Sequence, residues 1–342
     1  MKTNHILLTA ALLLCAASCT KENIDIPDTV DDNTLYPVTF SGGIDLVQTK
    51  TEGNTTTSTM RSGIKTKIFV YRSSGSNFKT DTLASKEYTV GADGNLTIDS
   101  SDTIYLAKGS YKIRAFAIDT LPSISFPDFD FTNGNFLASN DSSYLYAGAD
   151  ATIDGTAKAQ NVDLTFKRKA VKIVINIAST SGIVLDSWAD SDSAKILPPD
   201  PGSTCKMTLS DGTITPATSV YSNADDAKKM ACAAVADGKT TVSYIMLPLA
   251  GQSEKKPVPT VTLRVKVKNA TETNGVERTY TTALTYPTGS FESGKQYTYT
   301  ATLKANGITF NAATVEDWTE GISEGSGDLT PTEPADNGSS GS

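Results

Sequence analysis

At 342 residues with a formal charge of −8, the chain is long enough for two domains of ordinary size, each able to bury its own core. An acidic chain with no basic patch is a poor partner for nucleic acid or for an anionic bilayer surface. The single histidine, His5, lies in the leader described next. A mature chain without histidine lacks Ser-His-Asp and Cys-His nucleophile pairs, histidine general bases and histidine-ligated zinc.

Met1 and Lys2 open the chain with a positive charge, Ile6 to Leu14 form a short apolar run, and Ala16-Ala17-Ser18 precede Cys19. That is a secretory signal over 1–18 with a small-residue cleavage site. The run is too short to span a membrane as a helix, which takes about 20 residues. Ending at Cys19, the arrangement resembles a bacterial lipobox, whose thiol is acylated and becomes the mature N-terminus. Cys19 is therefore the expected lipidation site, and losing Lys2 with the signal brings the charge to −9. Thr20 carries no inner-membrane retention cue, so the outer membrane is expected, with Lys21-Glu22 leaning towards surface display. Residues 19–35 are polar, contain Pro27 and have no period, which describes a flexible tether.

From there the pattern is period two. Strands are expected at Val38–Val47, Ile64–Tyr71, Ser85–Val90, Asn95–Ile98, Tyr111–Ile118 and Val162–Phe166. Val171, Ile173, Ile175 and Ile177 share one face, with Lys172 and Asn176 on the other. Further strands follow at Val242–Leu247, Val261–Val267, Tyr280–Thr285, Tyr297–Leu303 and Ile308–Trp318. Such alternation marks half-buried antiparallel strands. Turn residues separate them at Gly91-Ala92-Asp93-Gly94-Asn95, Lys108-Gly109, Asp211-Gly212 and Gly294-Lys295. Short, evenly punctuated strands predict β-sandwiches. One helix is expected from Asn223 to Ala236, capped by Asn223, with Asp225 and Asp226 in its first turn and Gly238 past its end. A small, polar stretch from Ala149 to Gln160 suggests a boundary between two sandwiches, 36–160 and 161–323. Residues 324–342 read as a disordered tail of Gly, Ser, Pro and acid.

Chemical motifs are scarce. There is no phosphate loop, nucleophile elbow or Cys-x-x-Cys, so no residue is expected to be catalytic, and no cofactor or metal is expected. Asp99–Asp102 and Asp190–Asp192 lack EF-hand spacing and read as solvated loops. Tyr297, Tyr299 and Trp318 are expected in the core. With Cys15 lost and Cys19 acylated, Cys205 and Cys232 remain in an oxidising compartment. A bridge between them would stabilise the fold by about 3 kcal/mol through loop entropy; the alternative is two unrelated small hydrophobes. Five triplets of Asp, Ser or Thr, and an aliphatic residue resemble a bacterial O-glycosylation acceptor, including Asp102-Thr103-Ile104, Asp119-Thr120-Leu121 and Asp192-Ser193-Ala194. Thr29, in the tether, is the favoured acceptor.

Several stretches together resemble the fimbrillin family, the lipoprotein pilins of gut and oral bacteria. The run from Phe291-Glu292-Ser293-Gly294-Lys295-Gln296-Tyr297 through Gly307-Ile308 to Val315-Glu316-Asp317-Trp318 is similar to the family's Gly-Lys-x-Tyr strand and its last strand ending in Trp. Tyr144-Leu145-Tyr146-Ala147 followed by Leu164-Thr165-Phe166-Lys167-Arg168 resembles the family's junction strand, with Lys167 where the family often has His. Ile245-Met246-Leu247-Pro248 is similar to a family strand ending in Leu-Pro. The resemblance covers 36 to 320. It implies an all-β chain of two transthyretin-like antiparallel β-sandwich domains in tandem. It also implies assembly by strand exchange, in which a protease removes the first strand and a neighbouring pilin subunit fills the groove. The removable strand would carry Val38, Phe40 and Ile44, and the cut would fall at Lys50 or Arg61. Many family members have Arg where Lys50 falls, so an Arg-specific protease would use Arg61.

The function expected from the sequence is thus an outer-membrane, fimbrillin-like pilus subunit supporting adhesion to a host or bacterial surface ligand. The polar tail offers little β-pattern for donation, which leans towards a tip or accessory role. The alternative is a monomeric surface lipoprotein that binds glycan or host protein. A carboxylate-based hydrolase is a more distant third.

Overall fold

The computed structural model describes residues 34–46, 56–72, 81–119, 126, 130, 133–180, 182–251, 258–269, 271–285, 289–304 and 307–318. The backbone alone is described for 44–46 and 56–59. The described chain is all-β. Its first half holds β1 (Tyr36–Leu46), β2 (Thr56–Thr59), β3 (Lys65–Arg72), β4 (Thr82–Val90), β5 (Asn95–Thr97) and β6 (Ile104–Leu106). Then come β7 (Gly109–Ile118), β8 (Asn135–Leu137), β9 (Tyr144–Ile153) and β10 (Gln160–Arg168). The second half runs through β11 (Val171–Ser179), β12 (Val184–Trp188), β13 (Ala194–Leu197), β14 (Lys206–Thr208), β15 (Lys228–Lys229) and β16 (Ala231–Cys232). It ends with β17 (Lys239–Met246), β18 (Thr260–Lys268), β19 (Val276–Ala283), β20 (Lys295–Lys304), β21 (Gly307–Phe310) and β22 (Thr314–Asp317). Among the described residues no helix is long and apolar enough to cross a membrane.

Nine strands form the first sheet, in the order β10-β9-β7-β3-β4-β5-β1-β2, with β6 also on β1. Because β1 pairs with β10 as well, the sheet closes on itself around one core. The second half packs β16-β17-β11-β20 with β21 and β22 against β12, β13, β15, β18 and β19. The alternation read from the sequence supplies its interior: Val261, Leu263 and Val265 of β18 and Tyr297, Tyr299, Ala301 and Leu303 of β20 are each at most 1% exposed.

The two halves meet on an aromatic seam. Phe69, Phe116, Phe136 and Tyr144 join the second core, and Phe116 stacks on Phe136 with centroids 5.0 Å apart. β8 pairs with β14 across the junction, and Tyr146 Oη donates to Leu209 O at 2.8 Å.

Five sequence expectations change. The alternation predicts purely antiparallel pairing, yet β1 runs parallel to β10, and β11 runs parallel to β20. β10 belongs with β1 and β9, so the chain leaves the first sheet after Arg168 and not at Gln160. The small residues around Ala149 are not a linker but the middle of β9, whose low profile lets Arg114 lie across it. A Cβ on Gly148 would come 3.2 Å from Arg114 Cδ. The expected helix is one 3-10 turn, Ala224–Asp226, capped by Asn223 as anticipated. Its alanines have no apolar stripe to bury, and they continue as β15 and β16 towards a turn at Asp237 and Gly238, both at positive φ. Lys172, expected in solvent, is 6% exposed, with its Nζ 5.8 Å from the Trp318 ring centre.

Candidate assembly site around the first strand

β1 is the strand through which the first sheet closes. It runs parallel to β10, from Val38 opposite Gln160 to Ile44 opposite Phe166. Its other edge is antiparallel to β6 at Tyr36–Val38 and to β5 at Phe40–Ser41. Past Gly43 it turns back as a hairpin with β2. Residues 38 to 41 alternate Val, Thr, Phe, Ser, so one face is apolar and the other polar, as the pleat requires.

The apolar face points inward. Val38 and Phe40 are 1% and 2% exposed, and Phe40 meets Tyr88 edge-on with ring centroids 5.3 Å apart at 83°. Burial pushes the Tyr88 phenol up to about 12, with the Ile104 backbone working against that rise. On the polar face Thr39 Oγ1 donates to Gln160 O at 3.3 Å, Asn161 Nδ2 donates to Ser41 Oγ at 3.1 Å, and Ser41 bonds Asp163. Ile44 is paired through its backbone; its side chain lies outside the described residues.

The candidate cut sites flank β2. Lys50 falls in 47–55, outside the described residues, as do Cys19 and Thr29. Arg61 follows β2 and is engaged. Its Nη2 lies 3.0 Å from Asp119 Oδ1, while Asp119 Oδ2 takes Arg168 Nη1 at 3.2 Å. Arg168 also donates to Ser143 Oγ at 2.6 Å, and its guanidinium sits 4.4 Å from the Trp318 ring centre. Asp119 is only 8% exposed at its side chain and Arg168 5%. One buried carboxylate thus ties the chain after β2 to the ends of β7 and β10. Sequence reasoning missed this cluster, having read Asp119 only within an acceptor triplet, because its partners lie 58 and 49 residues away. In another triplet, Ser193 is 1% exposed and its Oγ is taken up by Asp190.

The expected Cys205–Cys232 bridge is absent. Both thiols are free, Cys205 fully buried and Cys232 exposed on β16 at the rim of a different sheet. Cys205 is committed instead to the junction, its carbonyl accepting from Ala138 N at 2.9 Å. Among the described residues no group of three or more His, Cys, Asp or Glu side chains converges as a metal site. The Asp-rich loops meet cations of the chain: Asp102 meets Lys86, Asp190 meets Arg264, and Asp192 meets Lys229.

No curated protein matches the chain. Among solved structures, one from Bacteroides ovatus ATCC 8483, provisionally described as a cell adhesion protein, superposes with a TM-score of 0.57 at 20% identity, covering 83% of this chain and 98% of that one. One from Bacteroides fragilis NCTC 9343 with the same description gives 0.53 at 16%, covering 84% and 100%. A third, from Bacteroides uniformis ATCC 8492, gives 0.52 at 16%, covering 83% and 99%. At these identities the likeness is one of fold. The family model described as fimbrillin-like matches residues 49–318, from the hairpin after β1 to the buried Trp318. With an all-β fold shared along almost the whole length of those solved chains, the sequence match settles the matter: this chain belongs to the fimbrillin-like family.

Proposed function

We propose that the chain is a pilus subunit, held at the outer membrane through an acylated Cys19, that joins its neighbours by strand exchange after proteolysis between β1 and β3. The observation that carries this reading is the position of β1. It is the first described strand, it precedes both candidate cut sites, and its departure would open the closed first sheet between β10 on one side and β5 and β6 on the other.

A sheet so opened would expose unpaired backbone on both edges and an apolar slot where Val38 and Phe40 sat. An incoming strand with the same alternation would satisfy both. Returning two such side chains to the slot is worth about 4 kcal/mol, and the edge-on ring contact with Tyr88 about 1 kcal/mol more. A cut at Lys50 would release β1 alone, whereas a cut at Arg61 would release the whole β1–β2 hairpin. Arg61 is the guarded site, because a protease must first pull it from Asp119.

Limited trypsin treatment of the purified, unlipidated precursor tests the reading. Cleavage near Lys50 or Arg61 followed by SDS-resistant ladders is the expected result. A cut product that stays monomeric with an undiminished melting temperature would overturn it and favour a monomeric surface lipoprotein that binds glycan or host protein.

A further inference from the structure

A second site lies where the loop at 139–141, between β8 and β9, is fastened to the second half of the molecule. Asn140 spans the junction, its Nδ2 donating to Pro199 O at 2.7 Å and its Oδ1 accepting from Leu247 N at 2.9 Å. Asp141 N donates to Ile245 O at 2.9 Å. This anchoring holds Asp141 at φ 61°, a left-handed conformation uncommon outside glycine, and sets its side chain on the rim of a cavity of about 360 Å³. Tyr221, Lys228 and Tyr244 complete the part of the lining that matters here.

The wall of that cavity holds a polar group that the fold leaves unmet. Tyr244 is 4% exposed, yet its hydroxyl has no hydrogen-bond partner among the described residues. Buried hydroxyls in folded chains nearly always find partners, and an orphan is expensive. Burial, with Asp141 and Tyr221 close enough to add to it, pushes this phenol up, so it stays protonated and remains a donor. At the mouth, Lys228 Nζ lies 5.8 Å from the Tyr221 ring centre, on the opposite sign of charge from Asp141.

We propose that this cavity binds one or two neutral sugar units of a surface glycan. Its volume is in the range of small-ligand sites, and it lies at a junction between packed units, where such sites concentrate. A sugar hydroxyl can donate to the Asp141 carboxylate while another accepts from Lys228; the Tyr244 hydroxyl, closed off in the free chain, joins as a donor when the wall shifts on binding. Tyr221 offers an aromatic face to the apolar side of a pyranose ring. Of the two ammonium groups in the lining, Lys229 is already paired with Asp192 at 3.1 Å, which leaves Lys228 and the Asp141 carboxylate to offset each other, so a strongly charged ligand gains little over a neutral one. The site involves no part of β1 and stands whether or not the chain forms fibres.

The test uses the intact, unlipidated chain titrated with lactose, methyl mannoside and sialyllactose, followed by ligand-detected NMR and calorimetry. Binding of lactose or methyl mannoside is expected, weakened roughly tenfold or more by Tyr221→Ala and by Asp141→Asn. Asn keeps the left-handed backbone, so the second variant separates lost contact from lost fold. Tyr244→Phe should weaken binding while leaving the melting temperature unchanged or raised. Absence of binding to either neutral sugar overturns the proposal, as does binding unaffected by all three variants. A preference for sialyllactose that disappears in Lys228→Ala overturns the neutral assignment.

Discussion

The carboxylate of Asp119 grips the guanidinium of Arg61 at 3.0 Å, and its second oxygen holds Arg168 at 3.2 Å. Asp119→Asn removes the charge from a site where two arginines converge. It should destabilise the fold by about 3 kcal/mol, because the buried Arg168 would lose the charge of this carboxylate. It should also raise the share of tryptic cleavage at Arg61 relative to Lys50, since Arg61 is no longer held. Urea midpoints and peptide mapping of the same variant check both, and an unchanged cleavage ratio would count against a guarded site.

Phe40→Ala empties the slot that β1 fills against Tyr88. Truncating a fully buried aromatic ring should cost about 3–5 kcal/mol. Equilibrium denaturation of the precursor measures it. A loss under about 1 kcal/mol would mean that β1 contributes little to closing the first sheet.

Gly212 lies in the turn that reaches Tyr146. Its φ is +68°, and a Cβ there would fall 2.2 Å from Tyr146 Cγ. Gly212→Ala should therefore cost at least about 1–3 kcal/mol, through left-handed strain and a clash with the ring. Because Tyr146 carries the bond to Leu209 across the junction, the variant should expose sites there to limited proteolysis. A wild-type digestion pattern would argue against a rigid junction.

The two remaining thiols should behave differently. Burial pushes both Cys205 and Cys232 up from the ordinary thiol range, but Cys205 is fully enclosed, whereas Cys232 is an exposed residue whose thiol is only partly covered, beside Met230 O. In a chain lacking Cys15 and Cys19, a thiol reagent at mildly alkaline pH should label Cys232 slowly in the native state. Cys205 should react only after denaturation. Failure of both to react without reductant would reveal a bridge.

Cys19→Ala should leave an unprocessed precursor that no longer takes up a fatty-acid analogue. Continued labelling of that variant would exclude Cys19 as the acylated residue.

Much of the fold was legible because period-two alternation is local. Val261 to Val267 and Tyr297 to Leu303 announce which residues face inward, and both sets are buried as their spacing requires. Turn glycines such as Gly94 and Gly294 mark strand ends for an equally local reason, since their positive φ excludes most other residues. The alanine-rich stretch after Asn223 predicts a helix and forms only one 3-10 turn, because helix propensity alone does not say which face is buried.

The sequence by itself determined the strand character, the apolar faces and the family motifs, since each is written in residues a few positions apart. Tertiary structure alone decided that β10 closes the first sheet against β1, with Val38 opposite Gln160 more than a hundred positions along. It alone decided that Asp119 joins Arg61 to Arg168, that Trp318 shelters Lys172, and that Cys205 and Cys232 are free thiols, one buried and one exposed. Each of these depends on which sheet edges and faces meet, and no local period encodes that. It is set by the collective burial of apolar faces, which brings together charges and thiols whose neighbours in sequence give no sign of it.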